Sequence, residues 1–279
     1  MSFNIEIVGT GSKGNCIVID DDIVIDVGLP FTTLKSKLLN ASAILITHRH
    51  GDHLKLPNIN QLLNERPWLV KYRLYTNQNV VDKIHETKNL ANAPISENNI
   101  INGNSQFTIK GKNQTYKVRT FALVHDVPNQ GFIIENENGE TLIYATDTET
   151  MEYAPNEKFD YILVEGNYDE DKINDDLDFE FNFLNIFKQY VEDGILSEDY
   201  DNLTDDEILD LIATDMSETI SEIQNKVFSM IDRANRNSRH LSVQKFEDFC
   251  RKHAKPNTII YQLHESEGFG LRSDLSEEM

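Results

Sequence analysis

Short apolar runs of β-branched and aromatic residues, bounded by glycine and acidic turns, punctuate much of this chain and read as strands. They lie at Phe3–Val8, Cys16–Asp20, Asp22–Asp26, Ala43–Thr47, Arg73–Thr76, Tyr116–Val124, Gln130–Glu135, Thr141–Thr146 and Tyr161–Val164. One more, Thr258–Leu263, lies near the C-terminus. Between them, apolar residues at helical spacing predict helices over Phe31–Leu39, Pro57–Leu63, Asn77–Glu86 and Ser242–His253. Strands interspersed with helices imply an α/β layered fold rather than a barrel or a bundle.

From about Asp169 to Asn237 the pattern changes. Phe179–Val191 is rich in Phe, Leu and Ile and stops before Gly194, a residue suited to ending a helix. Thr204-Asp-Asp-Glu207 has the form of a capping box. Beyond it, Ile208, Leu211, Ile212, Ile220, Ile223, Val227 and Ile231 fall at helical spacings. The expectation is one domain spanning 1–279, with a helical insertion over 170–236. That insertion reads as readily as a solvated hairpin as it does as a partner-binding element.

Charge sharpens this division. The net charge is −21, and between Asp169 and Glu222 there are 19 acidic residues against two basic ones. The remainder of the chain is close to neutral, so a polyanionic substrate is disfavoured by the whole but not by the body. No apolar run approaches the ~20 residues that span a bilayer, so no membrane association is expected. The start, Met-Ser-Phe-Asn-Ile-Glu, has no secretory pattern. Cys16 and Cys250 form neither a disulfide framework nor a zinc-type pair. The expected location is cytoplasmic, and abundant Asn, Ile, Lys and Asp point to a bacterium or a phage-infected cell.

The chemistry concentrates in Ala43-Ile-Leu-Ile-Thr-His-Arg-His-Gly-Asp-His53, where an apolar run ends in His48, His50, Asp52 and His53. A lone histidine is usually a solvated or satisfied residue, but this bunching suits a metal, since imidazole and carboxylate donors converge. Further strands close on Asp26, His125, Asp147 and His264. Gly9-Thr-Gly-Ser-Lys-Gly matches the dinucleotide fingerprint G-x-G-x-x-G. That fingerprint must open a helix, whereas two β-branched runs follow here, so a tight strand-to-strand loop is expected instead. His85 and His253 sit in helical contexts without partners in the pattern.

Thr47-His-Arg-His-Gly-Asp-His53 resembles the T-H-x-H-x-D-H motif of the metallo-β-lactamase fold hydrolases, and Asp26, His125, Asp147 and His264 follow in the family's order. The resemblance implies an α/β (α+β) fold, a four-layer αβ/βα sandwich. Within that superfamily, Gly9-Thr-Gly-Ser-Lys-Gly-Asn15, Glu165-Gly-Asn-Tyr-Asp169 and Arg239-His-Leu-Ser242 resemble the WalJ-like (YycJ-like) branch, which is associated with DNA exonuclease activity. The resemblance implies two divalent ions, zinc or manganese, with iron also accepted. His48, His50 and His125 would hold one, Asp52, His53 and His264 the other, and Asp147 would bridge them. Asp26 would orient the site without ligating. Asp52, Asp147 and His240 are the catalytic candidates, and Arg236 and Arg239 the candidates for substrate phosphate. Arg239 stands where the branch has glycine.

The leading expectation is a two-metal phosphodiesterase acting through a metal-bridged hydroxide, most consistent with a nuclease of DNA-exonuclease type. The alternative is a phosphodiesterase for small or cyclic nucleotides of phage anti-defence type, favoured by the acidic insertion. A third reading, of another class, is an interaction protein whose acidic insertion engages a partner. A homodimer is compatible with all three.

Overall fold

In the computed structural model, which describes residues 2–170, 177–197, 200, 203–214, 218–265, 268–272 and 275, the early apolar runs pair into a five-stranded sheet. Its strands β1 (Ile5–Gly9), β2 (Cys16–Ile19), β3 (Ile23–Ile25), β4 (Ala43–Leu45) and β5 (Leu74–Tyr75) lie side by side in that order. β1 to β3 are antiparallel, whereas β4 and β5 join in parallel. Parallel neighbours need crossovers. Helix α1 (Phe31–Asn40) precedes β4, and α2 (Leu56–Glu65) and α3 (Pro67–Arg73) precede β5. Helix α4 (Gln78–His85) follows, started by Asn77, whose side chain accepts a hydrogen bond from the Val80 amide.

The second sheet has seven strands: β6 (Gln106–Lys110), β7 (Thr115–Leu123), β8 (Asn129–Glu135), β9 (Thr141–Ala145), β10 (Phe159–Glu165), β11 (Ala254–Glu265) and β12 (Gly268–Leu271). They are ordered β12-β11-β10-β9-β8-β7-β6. β9, β10 and β11 are mutually parallel, which brings their C-terminal ends to one edge.

Between β10 and β11 the chain forms a separate compact unit, Tyr168–Arg239, while Met1–Asn167 and His240–Met279 make up the layered unit. The helical unit contains α5 (Phe179–Glu192), α6 (Asp205–Thr214) and α7 (Glu218–Asn237). Its core is Phe183, Phe187, Tyr190, Val191, Ile208, Ile220, Ile223 and Val227. Asp178 caps α5 by accepting from the Phe181 amide, and the chain leaves that helix through Gly194 at φ +70°. The capping box forms before α6. The Glu207 carboxylate accepts from the Thr204 amide, and Thr204 Oγ1 accepts from the Glu207 amide.

Helix α8 (Val243–His253) completes the layered unit. Period-2 alternation shows how the layers form. Val18, Val24 and Ile44 face α1–α4, while their neighbours Ile17, Ile19, Ile23, Ile25 and Leu45 face the second sheet. In that sheet Phe132, Ile134, Leu142, Tyr144 and Leu163 face the first, and Ile133, Ile143, Ile162 and Val164 face α8. Helices, sheet, sheet and helix are thus stacked in four layers, the expected αβ/βα sandwich.

Besides the short β12, which no apolar run announces, α3, β6 and β11 differ from the sequence pattern. Helix α3 is only seven residues long and buries only Leu69 and Val70, too few for a period to be visible. β6 is an edge strand with one fully buried residue, Ile109. β11 begins at Ala254 rather than Thr258, since Pro256 and Asn257 masked its start. Among the described residues no helix is long and apolar enough to cross a membrane.

The layering predicts unequal responses to similar truncations. Phe132 is fully buried between the sheets, and Phe132→Ala should cost about 3–5 kcal/mol in urea unfolding. Ile259 is 40% exposed, and Ile259→Ala should cost well under half as much. Equal losses would refute the assignment of the inter-sheet core.

Candidate metal centre

The site begins with a carboxylate that has no access to water. Asp26 follows β3 with φ +62°, a left-handed conformation that Asp tolerates and that turns the chain at the strand end. Its amide donates to the Leu45 carbonyl (2.8 Å), which holds it level with the end of β4. Burial of an ionised carboxylate requires compensating donors. The Thr47 amide donates at 2.9 Å, Thr47 Oγ1 at 3.0 Å and His53 Nδ1 at 2.7 Å.

These bonds settle the tautomers. With its only hydrogen given to Asp26, Thr47 Oγ1 accepts from His48 Nδ1 (3.0 Å), leaving His48 Nε2 bare. His53, donating through Nδ1, turns Nε2 toward Asp147 Oδ2 at 2.8 Å and Asn15 Nδ2 at 2.8 Å. His50 Nδ1 lies 3.2 Å from both His48 Nε2 and His125 Nε2. Two groups that could hold an ion result: His48, His50 and His125, and His48, His53 and Asp147, each with its donor atoms within 4.8 Å of one another. Asp52 Oδ2 stands 3.7 Å from His53 Nε2.

Electrostatics fit a cation in this place. Burial pushes His48 well below the usual histidine range, helped by the neighbouring His53 and opposed by Asp147. Burial likewise lowers His125, against Asp147 and Asp126. Both are therefore neutral with a lone pair to give, as metal ligation demands. The His125 Nδ1 atom is buried without a hydrogen-bond partner. Burial works against protonating His53, but the Asp147 and Asp26 carboxylates override it and raise its pKa well above the ordinary value. A positive charge is thus favoured between His53 and Asp147, where a divalent ion would serve as well as a proton. The residues present fit a divalent metal centre.

A third group joins Asp147 with Glu165 and His240. Glu165 ends β10, fully buried, and its Oε1 accepts from the Thr148 amide (2.6 Å) and the Leu241 amide (3.1 Å). Its Oε2 faces His240 Nδ1 at 3.1 Å, and Asp147 Oδ1 lies 3.7 Å from the same nitrogen. Burial disfavours the imidazolium, yet the Glu165 hydrogen bond and charge, with Asp147 and Asp52, raise His240 to about 9. These carboxylates thus favour the protonated form of His240. Two residues on, Ser242 caps α8 by accepting from the Lys245 amide at 3.1 Å, which anchors this stretch.

The glycine-rich loop Gly9–Asn15 joins antiparallel strands, as expected, and supports the site. The Asn15 amide donates to the Asp52 carbonyl (2.7 Å), and Gly28 donates to the Asn15 carbonyl (3.0 Å). A Cβ at Gly28 would stand 1.6 Å from the Asp52 carbonyl oxygen, so only glycine fits.

The structure thus brings together His48, His50, Asp52, His53, His125, Asp147 and His240, with Asp26 behind them. His264 follows Leu263, which pairs with Glu165 in β11, but its side chain lies outside the described residues. Arg236 and Arg239 belong to the helical unit. Sequence reasoning gave no role to Asn15, Thr47, Asn129 or Glu165. Glu165 obeys the same rule as Asp147, a carboxylate closing a strand, and could have been found by it. Asn129, whose side-chain amide donates to the Asp147 carbonyl at 2.7 Å, carries no such signal.

The family model described as a beta-lactamase superfamily domain matches residues 24–187, more than half of the chain. No curated protein matches by sequence. Among solved structures, human tRNase Z short form (ELAC1) is 17% identical with a TM-score of 0.46, over 61% of this chain and 80% of that one. The metallo-beta-lactamase fold protein YhfI from Bacillus subtilis is 15% identical with a TM-score of 0.45, over 60% and 73%. A metallo-beta-lactamase from Cronobacter sakazakii, a motif mutant, is 13% identical with a TM-score of 0.39, over 83% and 95%. With its family model, its four layers and its buried histidine–aspartate cluster, the chain belongs to the beta-lactamase superfamily and has the site of a metal-dependent hydrolase.

Proposed function

We propose that the protein is a two-metal phosphodiesterase acting on nucleic acid, of the WalJ-like exonuclease kind. One observation carries this reading: Asp147 belongs both to the group with His48 and His53 and to the group with Glu165 and His240. A metal site beside a protonated imidazole suits an ester whose leaving group is a poor one, such as a sugar alkoxide. His48, His50 and His125 would hold one ion and Asp52, His53 and His264 the other, with Asp147 common to both. Zinc and manganese both suit this imidazole and carboxylate donor set. When bound, such a pair supplies Lewis acidity toward phosphoryl oxygen and acidifies water.

The chain's own groups do the rest. Asp26 and Thr47 hold His53 and His48 in the ligating tautomers. Asp52 and Asp147 stand ready to accept the proton of the attacking water. His240, protonated and fixed by Glu165, donates its proton to the departing oxygen. Arg236 and Arg239 would neutralise phosphate.

A second reading is favoured by the charge: 19 acidic residues between Asp169 and Glu222 suit a small or cyclic nucleotide better than a polymer. Purified, metal-reconstituted protein assayed on single- and double-stranded DNA, RNA and cyclic nucleotides, in manganese and in zinc, separates the two. End-directed cleavage of a polymer with steep loss of binding in salt is expected. Salt-insensitive turnover of cyclic nucleotides alone would replace the leading reading with the second.

Asp147→Ala should abolish hydrolysis and lower bound metal, measured by mass spectrometry of the dialysed protein, while circular dichroism stays native. Full activity in that variant would sink the shared-carboxylate assignment.

His240→Ala should keep its metal yet lose about 10²–10⁴-fold on DNA, with a smaller loss on bis(p-nitrophenyl) phosphate, whose leaving group needs little protonation. Glu165→Gln removes the anion that raises His240. The alkaline limb of its rate profile should therefore move to lower pH, since the imidazolium loses its proton sooner. An unmoved limb, or equal losses of His240→Ala on both substrates, would argue against the proton-donor role.

A further inference from the structure

Helix α3 inserts Leu69 and Val70 into the layered unit and leaves an aromatic, cationic face in solvent. Trp68, the only tryptophan of the chain, is 40% exposed, and Tyr72 is 58% exposed. The Arg73 guanidinium, half-buried and donating one N–H to the Ala41 carbonyl at 2.5 Å, lies 4.7 Å from the centroid of the Trp68 ring, and the exposed Lys71 ammonium 5.0 Å from that of Tyr72. Arg66, also exposed, is tied to the end of α1 by a hydrogen bond to the Leu39 carbonyl. From Arg66 to Val81 there is no acidic residue, in a chain with 47 acidic and 26 basic residues.

Packing accounts for these rings only in part: the fully buried contact of α3 is made by Leu69 and Val70, Trp68 is more than half covered, and Tyr72 is mostly in solvent. Insertion into a lipid surface would need aliphatic area beside the rings, and the two aliphatic residues of α3, Leu69 and Val70, are buried. Alternating rings and cations match what a single strand of nucleic acid presents, a flat base and a phosphate per nucleotide. The position is also informative. Site residues follow the C-terminal ends of β3 and β4, whereas α3 runs into the N-terminal end of β5, parallel to both. The face therefore sits at the opposite edge of the first sheet from the metal centre.

We propose that this face is a second binding site, a platform for single-stranded nucleic acid remote from the bond that is cleaved. Bases stack on Trp68 and Tyr72 while Arg66, Lys71 and Arg73 meet the phosphates. The proposal rests on the nucleic-acid reading of the function and adds to it a holding site distinct from the catalytic one.

Trp68 is its own reporter. Metal-loaded protein is titrated with a cleavage-resistant phosphorothioate oligothymidylate of about 15 nucleotides, within the span of known single-strand sites. Trp68 emission should be quenched saturably, and thymidine monophosphate at the same concentration should leave it unchanged. The log of affinity should fall with log salt with a slope of about −2, at about −0.7 for each of three phosphates engaged. Tyr72→Ala and Lys71→Glu should each weaken binding roughly tenfold and leave turnover of bis(p-nitrophenyl) phosphate unchanged. Lys71→Glu should also flatten the slope. Unquenched emission, affinity untouched by either variant, or equal quenching by polyglutamate would overturn the platform. Binding with the expected variant losses, but no cleavage of ordinary DNA or RNA, would support it while removing the catalytic reading on which it was built.

Discussion

The metal centre depends on the burial of Asp26. Taking a carboxylate out of water is costly, and a charged hydrogen bond returns only about 1.5–3 kcal/mol. Several donors must therefore converge, and the parallel register Ile25↔Leu45 supplies them by placing the turn after β4 beside Asp26. The Thr47 amide, the Thr47 hydroxyl and His53 Nδ1 are all committed to this carboxylate. That commitment sets one imidazole directly and a second through the hydroxyl, so His48 and His53 both present Nε2 to the site. Stability and ligand geometry are here the same set of bonds.

The second constraint is the inter-sheet core. Ile25, Leu45, Phe132, Tyr144 and Leu163 fill the space between the sheets and fix their separation. Stacked sheets lie roughly 10 Å apart, a gap that side chains from both edges can close. His48, His50 and His53 enter from the first sheet, and His125, Asp147 and Glu165 from the second. The parallel pairing of β9 with β10 keeps Asp147 and Glu165 level, with Val164 beside Ala145. His240 is then brought to the same edge by the cap of α8.

Most of the strands and the metal-type residues were legible in the sequence because both carry a local signal. A β-branched run marks a buried strand, and a His or Asp at its end stands out against the apolar residues before it. Asp26, His125 and Asp147 were found in this way. Asn15 and Thr47 were not, because an amide or hydroxyl at a loop is common and its partners are distant in sequence. Glu165 was named only within a motif and given no role despite its strand-end position, since a lone Glu is ordinary until its two amide donors are seen. Helix α3 escaped for a different reason: two buried residues cannot display a period, and its exposed rings resemble a strand's composition.

Net charge is a weak guide to substrate in this protein. At physiological salt the Debye length is about 8 Å, so each approaching phosphate responds to the charges within that reach rather than to the −21 of the chain. The acidity is concentrated between Asp169 and Glu222, whereas residues 31–97, which carry α1–α4, hold nine basic residues against five acidic ones. Charge segregated in this way slows long-range encounter with a polyanion, most strongly at low salt, without dictating the affinity of the bound state. A bound strand would experience the imidazolium of His240 and any ions at Asp147 far more strongly than carboxylates beyond the screening length. An acidic chain and a polyanionic substrate are therefore compatible, provided the acidic carboxylates stay more than a screening length from the path the strand takes.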